Sequence, residues 1–242
     1  MPGHYYEAEH FAAYDRIRRE GLRQWNDLHS SDRSTSYERF DGRDFLERVL
    51  PAEAPPGCRV LEYGCGTGAA SCLLARRGFH VEAVDLVPDA IAMARQFAAE
   101  RGLRVSFAVQ DVCQWPEADG RFDYVVDNFC LQSIVTDADR ERLFTAVRDR
   151  LAPAGRYLIN TAMYDPVRDY QDDRYDPSTG VVWTPAAVEA DGDVVQFGQS
   201  SYVPNRRHMT AAGLRRELQQ HGFRVLSQTG HLGGELVCTH SS

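Results

Sequence analysis

From residue 59 onward the chain alternates apolar runs with amphipathic stretches. The runs at 59–63, 80–86, 104–110, 122–127 and 156–161 are rich in Val, Leu, Ala, Phe and Ile. Helical patterns separate them: a small-residue segment ending near Arg77 and Gly78, then 88–101 and 137–151. Pro88 opens the second helix and Gly102 lies just past its end, the usual polarity of those two residues. Pro153, Ala154 and Gly155 close the third unit. Buried strands alternating with helices predict an α/β fold, a parallel sheet covered on both faces. The third strand is followed only by a short crossover.

The flanks follow other rules. Tyr6, Phe11, Tyr14, Ile17, Leu22, Trp25 and Leu28 recur at helical spacing and predict one or two helices over 5–29. A polar loop at 30–36, a short helix at 45–50 and a Pro- and Gly-broken stretch at 51–57 lead into the first core strand. Residues 162–208 carry Pro166, Pro177, Pro185 and Pro204 and β-like runs at 180–184 and 194–203. They read as an inserted hairpin or cap. A helix at 210–221 precedes strands at 223–228 and 235–239, whose short connection requires an antiparallel pair. The expected organisation is a helical lid over 1–56 and a core over 57–242 with the cap inserted at 162–208.

The segment Val60-Leu61-Glu62-Tyr63-Gly64-Cys65-Gly66-Thr67-Gly68 ends the first core strand in a glycine turn. Glycines without Cβ let the backbone turn tightly and approach a ligand. Glu62, two residues before the first glycine, has no use beside phosphate but suits a cation. Asp85 and Asp111 end the second and third strands. Taken singly, Glu62 could be a solvated strand end, Asp85 an N-cap for the following helix, and Asp111 a cap before Trp115. Together they fall on the sheet edge where open α/β folds bind ligands. The dinucleotide pattern G-x-G-x-x-G is not met, because the third glycine comes one residue early.

These residues resemble the class I S-adenosylmethionine-dependent methyltransferases, well over 57–162 and in outline over 209–240. The resemblance implies a Rossmann-like methyltransferase fold: a mostly parallel seven-stranded sheet with an antiparallel last strand, helices on both faces, an N-terminal helical lid and a β-rich insertion. It implies S-adenosyl-L-methionine as cofactor. The backbone at Gly64, Gly66 and Gly68 would lie against its methionyl and ribose parts, with Glu62 near the ammonium. Asp85 would take the ribose hydroxyls. Asp111 and the Val112 N–H would meet adenine, sandwiched by Leu86 and Val112. Asp127, Asn128 and Phe129 would face the methionyl end and the acceptor. Tyr5, Tyr6 and Trp25 would belong to a lid, their aromatic faces suited to a sulfonium; the alternative is an aromatic stripe packed on the core. Asn128, Gln132 and Ser133 after the fourth strand, and Tyr164 and Asp165 after the fifth, are acceptor-facing candidates. Asn128, Tyr164 and Tyr6 are the catalytic choices. His208 could serve as a base, although a lone surface histidine is the preferred reading of it, as of His29 and His231.

Composition narrows the acceptor. The formal net charge is −8 and no basic stripe is visible, which argues against nucleic acid. The Asn-Pro-Pro-Tyr type of tetrad, frequent in nucleic-acid amino methylases of this fold, is absent: the chain reads Asp127-Asn128-Phe129-Cys130. All 27 Lys and Arg positions are Arg, which excludes P-loop and Schiff-base lysine chemistry. The six Cys form no CxxC pair and no metal-ligand spacing. No apolar leader or spanning segment is visible, so a cytoplasmic protein, monomer or homodimer, without membrane or metal is expected. The activity expected is methyl transfer to a small polar metabolite by in-line displacement. Two other readings stand beside it: a cyclase or lyase that converts the cofactor itself to azetidine-2-carboxylate and methylthioadenosine, and a non-catalytic cofactor-binding protein.

Overall fold

A computed structural model describes residues 4–28, 37–117, 120–186 and 194–241. The expected polar loop at 30–36 and His29 lie outside the described residues. Strands β1 (Arg59–Tyr63), β2 (His80–Asp85), β3 (Ser106–Val109), β4 (Phe122–Asn128), β5 (Leu151–Asn160), β10 (Phe223–Thr229) and β11 (Glu235–His240) form one sheet. Its order is β10-β11-β5-β4-β1-β2-β3. β11 runs antiparallel to both β5 and β10, and the other pairs are parallel. The expected seven-stranded sheet with its antiparallel last strand is therefore observed.

Side chains alternate across each strand, and this alternation builds two cores. On one face Leu61, Tyr63, Val125, Tyr157 and Ile159 pack with Leu143, Phe144 and Val147 of α5 (Asp137–Arg150) and Leu214 and Leu218 of α6 (Ala211–Gln220). On the other, Val60, Val126 and Leu158 meet Leu73 and Leu74 of α3 (Ala69–Arg76) and Phe45 and Leu46 of α2 (Arg43–Val49). Each fully buried aliphatic side chain is worth about 1.5–3 kcal/mol. α4 (Pro88–Glu100) starts on its proline as expected, while α5 and α6 are capped by the hydroxyls of Thr136 and Thr210.

One boundary differs from expectation. Pro153, Ala154 and Gly155 do not close a helical unit ahead of a strand at 156. Leu151 already pairs with Phe122, and the register then jumps to Arg156 opposite Tyr124, so these three residues form a bulge inside β5.

The N-terminal helix α1 (Glu7–Glu20) ends at Gly21 in the left-handed region. Ile17 is fully buried, with Tyr14 and Leu22, against Val87 and Ala90. The insertion forms a second, antiparallel sheet of order β6-β7-β9-β8 from β6 (Arg174–Tyr175), β7 (Val181–Pro185), β8 (Val195–Phe197) and β9 (Ser200–Arg207). β6 was not visible in the sequence. Bidentate contact of Arg206 with Glu9 at 2.7 and 2.9 Å ties β9 to α1. Arg207 reaches Asp137 at 2.5 Å and ties β9 to the start of α5. Among the described residues no helix is long and apolar enough to cross a membrane.

Candidate active site

Strand order reverses between β1 and β4, and the site sits at the carboxyl end of that switch point. Gly64 and Gly66 adopt φ of +61° and +54°. A Cβ on Gly64 would overlap Cys130, and one on Gly66 would stand 2.5 Å from the Tyr14 hydroxyl. The turn is thus a backbone cradle that only glycine leaves open. Asp85 fixes it: one carboxylate oxygen accepts the Gly66 N–H at 2.8 Å and the other the Val87 N–H at 2.9 Å.

Two adjoining cavities lie over this turn. The larger, about 160 Å³, is lined by Glu62, Gly64, Gly66, Asp85 and Asn128 beneath Tyr14 and Trp25. The smaller, about 60 Å³, is lined by Leu86, Asp111, Val112 and Tyr6. His10, Gly64, Asp85, Cys130 and Ser133 line both. The groove therefore runs from Glu62 near the end of β1 past Asp85 at the end of β2 to Asp111 just beyond β3.

The electrostatics are one-sided. Glu62 is buried and accepts a hydrogen bond from the Ser71 hydroxyl of α3. Burial, with Asp85 adding to it, pushes Glu62 up to about 8. Asp85 is likewise raised by burial, against the two N–H groups that favour its charge. Among the described residues no Arg or His forms an ion pair with either carboxylate. Burial, and then Arg206, lower the pKa of His10, which lines the groove. Two buried acids without a cation make a poor anion site and a good one for a cationic ligand.

α1 roofs the groove. Tyr6, His10 and Tyr14 are spaced four residues apart, one face of a helix over about 12 Å. The Tyr6 hydroxyl donates to Asp111 at 2.9 Å, and the Tyr5 hydroxyl accepts the Val135 N–H at 2.7 Å. Trp25 stands edge-on to Tyr14 at 5.7 Å. Tyr6 and Tyr14 stand in the helical pattern of the sequence; the same four-residue spacing also contains His10, which that pattern of apolar positions passes over.

Three expected residues fall elsewhere. Asp127 is fully buried, on the opposite sheet face from Asn128, and accepts the Cys130 and Leu131 N–H groups at 3.0 Å each. Burial pushes it up to about 7. It shapes the turn after β4, where Phe129 takes a φ of +64°, and does not line the groove. Gly68 carries a φ of +81° at the start of α3, and a Cβ there would stand 2.9 Å from Phe107; it serves helix packing. Tyr164 stacks on Tyr175 at 4.4 Å, and Tyr175 on Tyr170 at 5.4 Å, within the insertion. Glu62, Gly64, Gly66, Asp85, Leu86, Asp111, Val112, Asn128 and Tyr6 are brought together, with Gln132 and Ser133 at the wall. Asn128 accepts a hydrogen bond from Asn160 at 3.1 Å.

A third cavity, about 470 Å³, opens between α1 and the inserted sheet and shares Trp25, Gln132 and Arg206 with the groove. His208 lines it and is 3% exposed, so it is no surface histidine. Its Nδ1 lies 3.1 Å from the Tyr170 hydroxyl. Burial, with Arg168 and Arg206, lowers it to about 4.

Residues 60–155 match the family model of a methyltransferase domain. Magnesium-protoporphyrin O-methyltransferase of Rhodobacter capsulatus is 39% identical over 137 residues, 52% of this chain and 58% of that protein. Over residues 60–155 the chain is a methyltransferase domain of the S-adenosylmethionine-dependent kind. A 2-heptyl-1-hydroxyquinolin-4(1H)-one methyltransferase of Mycobacteroides abscessus is 32% identical over 152 residues, 57% of this chain and 66% of that protein. The chain thus spans about half to two thirds of the length of curated relatives such as these, 46% at the low end and 66% at the high end. The fold of the family extends further. An S-adenosylmethionine-dependent methyltransferase of Clostridium acetobutylicum superposes with a TM-score of 0.63 over 95% of this chain and 99% of its own, at 16% identity. The glycopeptide N-methyltransferase MtfA, solved with S-adenosyl-L-methionine, gives 0.57 over 84% and 93%, at 24% identity.

Proposed function

We propose that the chain transfers a methyl group from S-adenosyl-L-methionine to a small polar metabolite. The observation that carries the reading is the pair of buried carboxylates, Glu62 and Asp85, lining one groove with no cationic partner among the described residues. When bound, the cofactor would supply an activated methyl carbon on a sulfonium. Glu62 and the Gly64–Gly66 backbone would hold its methionyl end, Asp85 its ribose hydroxyls, and Asp111, Leu86 and Val112 its adenine. Tyr14 and Trp25 would give the sulfonium an aromatic roof, worth on the order of 0.5–2 kcal/mol. Asn128, at the groove wall, would orient the reacting end, and α1 with Tyr6 would act as the lid that excludes water.

The neighbouring cavity of about 470 Å³ supports transfer to a second molecule rather than conversion of the cofactor alone, because it gives an acceptor room beside the methionyl end. The protein's task is then alignment at about 3–3.5 Å. Incubation of pure protein with S-adenosyl-L-methionine, followed by mass spectrometry of the nucleosides, tests this. The expected result is an inert cofactor that yields S-adenosylhomocysteine once a metabolite extract is added. Methylthioadenosine formed without acceptor, or binding without turnover, would overturn it.

A further inference from the structure

Building on the methyl-transfer reading, we propose that the cavity between α1 and the inserted sheet binds a hydroxy acid, with Arg168 holding its carboxylate and His208 taking its hydroxyl proton. The cavity reaches the groove through Trp25, Gln132 and Arg206, so an acceptor seated in it meets the methionyl end.

The charges of the lining select the acceptor. Arg206 is neutralised by Glu9, and Arg16 by Glu20 at 2.8 Å. Arg168 forms no ion pair among the described residues; its guanidinium lies over the Tyr170 ring at 5.4 Å. A planar guanidinium with its donors unspent is the side chain best matched to a carboxylate. Asp173 also lines the cavity, in a turn closed by its N–H to the Tyr170 carbonyl at 2.9 Å. It repels an anion from its own side, which leaves Arg168 as the single landing place.

The histidine is oriented for proton transfer. Tyr170 fixes the His208 ring through Nδ1, and the Tyr175 hydroxyl donates to its carbonyl at 3.1 Å. Nε2 has no partner among the described residues, within a side chain that is almost wholly buried against the cavity. A neutral imidazole with one nitrogen anchored and the other free has the geometry of a general base. Burial, then Arg168 and Arg206, oppose its protonation; a carboxylate docked on Arg168 offsets the part due to that guanidinium. In the transfer the acceptor oxygen bonds to the methyl carbon as the carbon–sulfur bond breaks. That bond's electron pair stays on sulfur, and the hydroxyl proton passes to Nε2 and then to water.

The test uses the full chain loaded with S-adenosylhomocysteine. Calorimetry compares 3- and 4-hydroxybenzoate and lactate with the matched neutral alcohols, while NMR of labelled histidine follows His208, assigned through His208→Gln. The expected result is that at least one acid binds about tenfold or more tighter than its alcohol. That preference should vanish in Arg168→Ala, a change at an exposed position whose fold is checked by thermal unfolding. The bound acid should also raise the His208 titration midpoint, with Arg168, Arg206, Glu9, Asp173 and Tyr170 as its charged and titratable neighbours. Equal affinity for acid and alcohol, no binding by any acid, or a preference that survives Arg168→Ala would overturn the proposal. Failure to bind S-adenosylhomocysteine at all would instead contradict the methyl-donor reading, a separate outcome.

Discussion

Glu62→Gln separates the carboxylate's charge from its shape. The amide keeps the acceptor oxygen that the Ser71 hydroxyl meets but cannot ionise. Because burial pushes Glu62 up to about 8, the wild-type side chain is mostly neutral at pH 7, and ionising it there costs about 1.4 kcal/mol per pH unit below 8. A hydrogen bond to a charged partner returns about 1.5–3 kcal/mol. At pH 6 the two nearly cancel, so the variant and wild type should bind S-adenosyl-L-methionine within a few-fold. Near pH 8 the carboxyl and the ligand's α-amine, whose ordinary pKa is about 7.7–8.0, are each about half in the form the pair needs, so the cost is least and the variant should bind roughly 3- to 40-fold more weakly. Above pH 8 the free amine loses the proton that the pair needs, so the ratio of the two affinities, measured by calorimetry, should rise from pH 6 to a maximum near pH 8 and then level off or fall. Stability moves the other way. A carboxyl raised in the folded state contributes stability that is complete below its unfolded pKa near 4.5 and is lost as pH rises towards 8. Empty Glu62→Gln lacks that loss and should be the more stable protein at pH 8, with little difference at pH 4.5. A pH-independent affinity ratio, or a variant destabilised at pH 8, would refute the cationic site.

The remaining predictions concern the frame of the site. Gly64→Ala places a Cβ onto Cys130 at a φ of +61° and should cost about 2–4 kcal/mol in urea unfolding; Gly57→Ala, at +75° with open space around it, should cost only about 1–2 kcal/mol. Arg140 makes a buried two-point contact with Glu217 at 2.6 and 2.7 Å and donates to the carbonyls of Leu131 and Ile134. Arg140→Met should cost about 3–5 kcal/mol, and Arg140→Met with Glu217→Leu clearly less. Tyr6→Phe removes the donor to Asp111; it should cost about 1 kcal/mol and speed cleavage within α1 at Arg16, Arg18 and Arg19, with limited trypsin digestion as the measure.

The sheet was legible because its strands are apolar on both faces and separated by helices with clear ends. The acids at the strand ends were legible for a related reason: a charge closing a buried strand has few uses other than a site. Strand alternation was the signal left unused. Val125 and Asp127 share one face, Val126 and Asn128 the other, so the two polar residues that end the fourth strand could not both meet the groove. Gly68 has the left-handed backbone that Gly64 and Gly66 share, yet its missing side chain makes room for Phe107 rather than a ligand; spacing alone carries no information about which neighbour needs the space. The acceptor side was opaque because it is built between distant segments. His208 meets Tyr170 across 38 residues, and Arg206 meets Glu9 across 197. No local pattern announces such pairings.

The most direct test of the central claim is a crystal structure of the full chain with S-adenosyl-L-methionine. The account predicts the methionyl end at Glu62 and the Gly64–Gly66 backbone, the ribose at Asp85 and the adenine between Leu86 and Val112 beside Asp111. A cofactor seated instead in the cavity between α1 and the inserted sheet, or with its adenine at Glu62, would contradict it.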